Sequence, residues 1–234
     1  MLVKWIRCGV EPELTRSFSL SQTAWSRLRA IDGFRGQIGG WDASTGTEAC
    51  ILGFWSGRRS YGVFMEDLHD DIASRTGQEA TYRSIDVSLY DVLMEIPSLE
   101  TGVDSRWKNG EILSPSLDGQ AGDPRMQFSS RVVRVGELEL KPGRREHFLE
   151  CQSRIWNPGM GDAPGMHGGF LGRAVEGDDR YLVVSFWESE AAHRAYVGER
   201  LPGLRDRSEI DLSVASSRGW IILREDSWTV LPEV

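Results

Sequence analysis

The groups in this chain best suited to chemistry are four histidines, at 69, 147, 167 and 193, and a few cations set inside apolar segments. His69 precedes Asp70 in FMEDLHDDI (64–72), where Tyr61, Phe64, Met65, Leu68 and Ile72 recur at helical spacing. At about 100° per residue, His69 falls roughly 80° from the middle of that stripe. There an imidazole reaches either a pocket mouth, as an acid–base group, or water. His193 replaces Tyr61 in the related stripe of FWESEAAHRAYV, which reads as a core or half-buried ring. Lys4 shares a strand row with Leu2, Ile6 and Cys8, and Arg134 holds the matching place beside Val132 and Leu138. A cation so placed either holds a substrate carboxylate or enolate, or snorkels from a strand end to water. Arg35, Gln37 and Trp41 form the polar row of GFRGQIGGWD, pointing away from Phe34 and Ile38, with His167 standing for Arg35 in the related PGMHGGF. These four are candidate substrate-binding residues on a sheet face without helices, where polar groups either bond across an interface or line a cavity.

Other constellations are missing. GQIGG lacks the Lys-Ser or Lys-Thr of a phosphate loop, RAVEGDD lacks calcium-loop spacing, and no GxSxG elbow occurs. The histidines form no HxH or HxxxH pair, so no catalytic metal is expected. A formal net charge of −8 gives no basic field for phosphates, which argues against nucleic acid and anionic membranes as partners. No stretch approaches the roughly 20 apolar residues of a membrane span, and Lys4 and Arg7 interrupt the first apolar run, so neither signal peptide nor anchor is expected. The expected location is cytoplasmic. Cys8, Cys50 and Cys151 are widely spaced among apolar residues and read as buried thiols.

The elements that must position these residues are written twice. At one constant offset DGFRGQIGGW (32–41) falls on PGMHGGFLGR (164–173), and ACILGFW (49–55) on YLVVSFW (181–187). LVKWIRCGV (2–10) also matches VVRVGELEL (132–140), and SIDVSL (84–89) matches EIDLSV (209–214). Each half reads as a strand, a helix (19–30 in the first half), two strands, a second helix after Trp55 or Trp187, and a final strand. That order is βαββαβ, an α+β ferredoxin-like unit with both helices on one sheet face. Both strand rows are apolar, so the helix-free face needs a cover, and the other copy supplies it. The expected organisation is a first unit at 1–97, a Gly/Pro/Ser-rich linker at 98–130 with Trp107 and Ile112 docking locally, and a second unit at 131–234. The units then form a pseudo-dimer within the chain, with further homodimerisation left open. Ser56 and Ser189 follow the corner tryptophans as expected helix caps.

On these segments the chain resembles the dimeric α+β barrel proteins, in particular the antibiotic-biosynthesis-monooxygenase-like branch, which packs two ferredoxin-like units sheet to sheet. Its first half resembles the bacterial YdbC-like domain family through LVKWIRC, GFRGQIGGWD, CILGFW and FMEDLHDDI; its second half resembles the wider superfamily through PGMHGGF and VVSFWESEAAHRAY. For the superfamily the resemblance implies cofactor-free oxygenation of polyketide-like aromatics, haem binding or degradation, muconolactone-type isomerisation, or no catalysis. Haem degraders of this group carry a Trp and a His on the second helix. Phe64 and Tyr196 stand where that Trp belongs, which disfavours haem degradation, while His69 and His193 leave haem ligation open. The leading expectation is a monooxygenase-like enzyme without cofactor, acting on a small apolar or aromatic molecule, with Lys4, Arg35, His69, Arg134 and His167 able to favour a substrate anion. The other is a non-catalytic binding or assembly protein. After FW the polar residues of the halves differ, so a shared fold with separate sites is expected.

Overall fold

The computed structural model describes residues 1–98, 129–177 and 179–233. The expected linker, with Trp107 and Ile112, lies almost wholly outside the described residues. In the first unit β1 (Leu2–Gly9) leads through α1 (Thr15–Gln22) and a 3-10 stretch (Thr23–Ala30) to β2 (Phe34–Asp42) and β3 (Glu48–Trp55). It is completed by α2 (Arg58–Asp67), α3 (His69–Thr76) and β4 (Ser84–Ile96). The second unit opens with β5 (Val132–Leu140), α4 (Arg145–Cys151), a π-helical turn (Gln152–Trp156) and α5 (Asn157–Gly161). It continues with β6 (Met166–Ala174), β7 (Arg180–Trp187), α6 (Glu190–Glu199), α7 (Leu201–Ser208) and β8 (Val214–Arg224).

Two local expectations change. The helix expected over 19–30 is α-helical only to Gln22 and tightens to 3-10 beyond it. SIDVSL is strand, but its counterpart begins as a 3-10 turn, Ile210–Leu212, because left-handed Glu209 (φ 43°) ends α7 there. Of the two expected caps, Ser189 accepts a hydrogen bond from the Ala192 amide at 3.2 Å, whereas Ser56 meets the Ser60 hydroxyl instead.

The strands close in the order β1-β3-β2-β8-β5-β7-β6-β4. The sheets of the two units therefore join at their edges, β2 to β8 and β4 to β6, which leaves no free edge. Their helix-free faces turn inward and fill the barrel with side chains such as Trp5, Phe54, Phe170, Phe186 and Trp220. Trp5 of one unit meets Trp220 of the other edge-on at 5.5 Å. All three cysteines are buried free thiols. Burial pushes the Cys8 thiol up to about 12 and raises Cys50 and Cys151 as well, which keeps them protonated. Among the described residues no helix is long and apolar enough to cross a membrane.

Each unit also lends the other residues at or beyond the end of its last strand. After β8, Trp228 sits between Phe18 and Trp41 of the first unit, at 5.5 and 5.2 Å between ring centres. Val230 exchanges two backbone hydrogen bonds with Gln37, at 2.8 and 2.9 Å. In the reverse direction Ile96, ending β4, packs with Met160 and Met166.

Candidate functional site

The helices of the first unit do not close completely on their sheet. Between them lies a cavity of about 120 Å³, lined by Lys4, Gln37 and Gly53 from the strands and by Gln22, Trp25, His69 and Gln78 from the helical side. Pairing places Lys4, Gly53 and Gln37 side by side across β1, β3 and β2. Gly53 contributes no side chain, and a Cβ built there would have only Trp55 Nε1 at 3.7 Å and Lys4 Cβ at 3.8 Å nearby. Phe34, Trp55 and Phe64 supply apolar wall, with Trp55 and Phe64 stacked at 4.8 Å.

Lys4 Nζ lies 5.5 Å from the centre of the Tyr61 ring. Among the described residues it has neither an ion-pair nor a hydrogen-bond partner. Burial without a carboxylate lowers its amine to about 8. At neutral pH the group remains mostly charged, and an anion entering the cavity meets a cation without a competing carboxylate.

A relay of side chains fixes the polarity of the opposite wall. Trp25 Nε1, which can only donate, donates to Gln78 Oε1 at 2.7 Å; Gln78 Nε2 then donates to Gln22 Oε1 at 2.7 Å. That order turns the Gln22 amide so that its NH₂ remains over. Gln37 Nε2 donates to the Trp228 carbonyl at 3.2 Å, leaving Oε1 as an acceptor. At the mouth His69 Nδ1 lies 2.9 Å from Asp70 Oδ1. An ionised carboxylate only accepts, so the proton of neutral His69 sits on Nδ1 and Nε2 is the free base. The ring also packs against Trp25 and Phe64, at 5.7 and 5.6 Å.

The second unit repeats the scaffold with the matching polar groups bonded internally. Arg134 occupies the place of Lys4, since Leu2 pairs with Trp55 and Val132 with Trp187. Its guanidinium donates to the carbonyls of Val135 and, at 3.3 Å, Trp220, folding back over the strands. Ser185 stands where the first unit has Gly53, and its hydroxyl accepts from Trp187 Nε1 at 2.9 Å. His193 and Tyr196 pack on Trp187 at 5.4 and 4.9 Å. Burial, with Arg134 nearby, lowers His193 to about 4, so the ring is neutral.

Of the seven residues singled out from the sequence, the structure brings Lys4, Gln37 and His69 together, while Arg134 lies in the other unit. The shared helix-free row is corrected. A β-bulge between Phe34 and Gly36 inserts Arg35 as an extra residue, with Gly36 at φ 141°. The alternation therefore slips: Gln37 faces the cavity, Trp41 packs with Phe18 under the helices, and Arg35 is exposed. The same bulge recurs at Gly168, φ 106°, where His167 meets the Ser130 hydroxyl at 3.0 Å. Gln22, Trp25, Gly53, Trp55 and Gln78 were not singled out as site residues. For Gly53 a signal existed, the mismatch between LGFW and VSFW at the aligned position.

A haem does not fit this site. The cavity is close in size to the roughly 150 Å³ hole that admits benzene, and a porphyrin is several times larger. Among the described residues no three His, Cys, Asp or Glu side chains cluster as metal ligands. A wider depression of about 540 Å³, between Arg29, Leu68 and Glu233, shares no lining residue with this cavity.

Two family descriptions match different stretches of the chain. Residues 2–90 match the family described as "Domain of unknown function (DUF4937)", and residues 131–200 match "Antibiotic biosynthesis monooxygenase". The chain is 36% identical over 93 residues to the uncharacterized protein YdbC of Bacillus subtilis (strain 168), covering 39% of this chain and 78% of YdbC. Among solved structures, a provisionally assigned monooxygenase from Fusobacterium nucleatum subsp. nucleatum superposes with a TM-score of 0.69 at 10% identity, over 95% of this chain and 91% of the other. One from Lactobacillus acidophilus NCFM gives 0.67 at 12% identity, over 98% and 95%. An anthrone oxidase-like protein gives 0.65 at 11% identity, over 96% and 91%. At such identities these likenesses establish the monooxygenase-like α+β barrel fold. By its first unit the chain belongs to the YdbC family, and it carries a monooxygenase-like second unit fused behind it.

Proposed function

We propose that the chain is a monooxygenase-like enzyme that oxidises a small aromatic or apolar molecule without a bound cofactor, and that the working site is the first unit's cavity. The observation that carries this reading is Lys4, a half-buried amine without a partner among the described residues, lining the space beneath the helices. In this reading His69 Nε2 takes the proton of an acidic phenol, enol or activated C–H, and Asp70 orients the ring. Lys4 then holds the resulting oxyanion in a site shielded from water. The substrate supplies all four electrons that O₂ takes up, a CH₂ becoming C=O or a phenol becoming a quinone, so one oxygen atom of O₂ enters the product and the other leaves as water. Arg134 takes no part, because its guanidinium is committed to carbonyls of the second unit.

Oxygen uptake by chelator-treated protein, measured with electron-rich phenols and quinols, tests this. Lys4→Met and His69→Phe should each lower the rate by about 10²-fold or more. Equal uptake by both variants and the parent would refute the assignment. Compounds that bind the cavity without oxygen uptake would instead favour the non-catalytic reading, which draws support from the second unit, where the matching polar groups bond internally.

A further inference from the structure

The unmatched polar groups in the cavity have a direction. In the second unit every counterpart is satisfied internally: Trp187 Nε1 donates to Ser185 Oγ, and Arg134 donates to two carbonyls. In the first unit the serine is Gly53, and among the described residues Trp55 Nε1 has no acceptor. Lys4 Nζ and the Gln22 NH₂ are likewise without acceptors, the latter because the Trp25–Gln78–Gln22 relay fixes which end of the amide is spent. The position that a Cβ at Gly53 would occupy is flanked by Trp55 Nε1 and the Lys4 stem, at 3.7 and 3.8 Å. Three spare donors, one of them cationic, line this pocket, and above Gly53 there is no counterpart of the Ser185 oxygen.

We propose that the ligand is a single-ring aromatic anion whose charged oxygen sits above Gly53, in the place that Ser185 Oγ takes in the second unit, accepting from Trp55 Nε1 and facing Lys4. The ring packs among Phe34, Trp55 and Phe64, and the cavity of about 120 Å³ limits the ligand to one ring. The remaining acceptors, Gln37 Oε1 and His69 Nε2, suit a hydroxyl on that ring. The other ionisable residues lining the space are Cys8, whose thiol burial keeps neutral, Tyr82, and exposed Glu79. This inference rests on the reading of the cavity as a small-molecule site, but concerns binding rather than oxidation.

Calorimetric titration of the full chain with benzoate and 4-hydroxybenzoate, against neutral isosteric benzamide and three-ring anthracene-2-carboxylate, tests it. The one-ring acids should bind at least tenfold tighter than benzamide, and the three-ring acid should not bind. Affinity should fall from pH 7 to pH 9, as the Lys4 amine, at about 8, gives up its proton. Gly53→Ser, for which there is room, should recreate the internal bond to Trp55 and weaken the acids at least tenfold while leaving the circular dichroism spectrum and melting temperature unchanged. Equal binding of benzamide, tight binding of the three-ring acid, or an unaffected Gly53→Ser variant would overturn the anion assignment and leave the cavity reading standing. If none of the compounds binds, both fail.

Discussion

The undersides of the two units are one scaffold finished in two ways. Both place an aromatic corner, Trp55 or Trp187, against a ring four or five ångströms off, Phe64 at 4.8 Å or Tyr196 at 4.9 Å. Both put a cation two residues along the first strand. In the second unit that cation reaches carbonyl oxygens, a serine satisfies the indole, and Met160, Met166 and Leu204 fill the rest. In the first unit the cation is shorter, the serine is a glycine, and the space stays open. In the proposed reading, ligand-binding capacity comes from removing atoms and internal bonds from a satisfied design. Polar groups without partners are costly when buried, and in the same reading those lining the first unit's cavity are kept for a ligand.

The sharpest way to break this contrast is at Trp228, which walls the first unit although it belongs to the second. It is fully buried, and its carbonyl holds Gln37. Trp228→Ala should cost about 3–5 kcal/mol, read by denaturant unfolding, and should abolish binding in the first unit's cavity. Equal stability of the variant would show that the tail is a bystander. The paired cations come next. Lys4 is held at about 8 rather than its ordinary 10.5, so between those values the unfolded chain binds more protons and stability of the wild type rises with pH. Lys4→Met should therefore stabilise the protein at pH 7 by up to about 3 kcal/mol, an advantage that disappears by about pH 10.5. Arg134→Met should do the opposite, losing about 1–3 kcal/mol, because two carbonyls lose a charged donor. If both substitutions stabilise, the cations are equivalent and the contrast fails.

Much of this contrast was legible before any coordinates. The repeat at fixed offset located both corners, Lys4 stood out as a cation on an apolar row, and His69 as a histidine at the edge of a helical stripe. Gly36 hid the bulge, because a strict two-residue alternation carries Arg35 and Gln37 to the same face, whereas the extra residue separates them. Gln22 and Gln78 were invisible for another reason: an amide on a short helix reads as solvent-facing, and only the fold brings the two side chains, 56 residues apart, to 2.7 Å. Trp228 meets Gln37 across 191 residues, a separation no local pattern encodes.

The second unit offers a test on the acid side. Burial holds His193 at about 4, below its ordinary 6.5, so the unfolded chain takes up the proton first and stability falls as pH drops from about 6.5 to 4. His193→Phe should flatten that slope in melts recorded from pH 7 to pH 4, while ligand binding in the first unit at pH 7 stays as it was. An unchanged slope would mean that other groups carry the acid sensitivity.

The smallest effect is expected at Arg35, and it separates the sequence reading from the structural one. Alternation along GFRGQIGG puts Arg35 beside Gln37 as a substrate contact; the bulge at Gly36 turns it out to solvent, and among the described residues it has no hydrogen-bond or ion-pair partner. Arg35→Ala should thus change stability by less than about 0.5 kcal/mol and leave affinity for a one-ring acid unchanged, whereas Gln37→Leu, one bulge further on, should weaken 4-hydroxybenzoate more than benzoate by removing the acceptor for its hydroxyl. A loss of binding in Arg35→Ala equal to that in Gln37→Leu would mean that the two side chains share a face after all, and that the bulge does not set the boundary of the site.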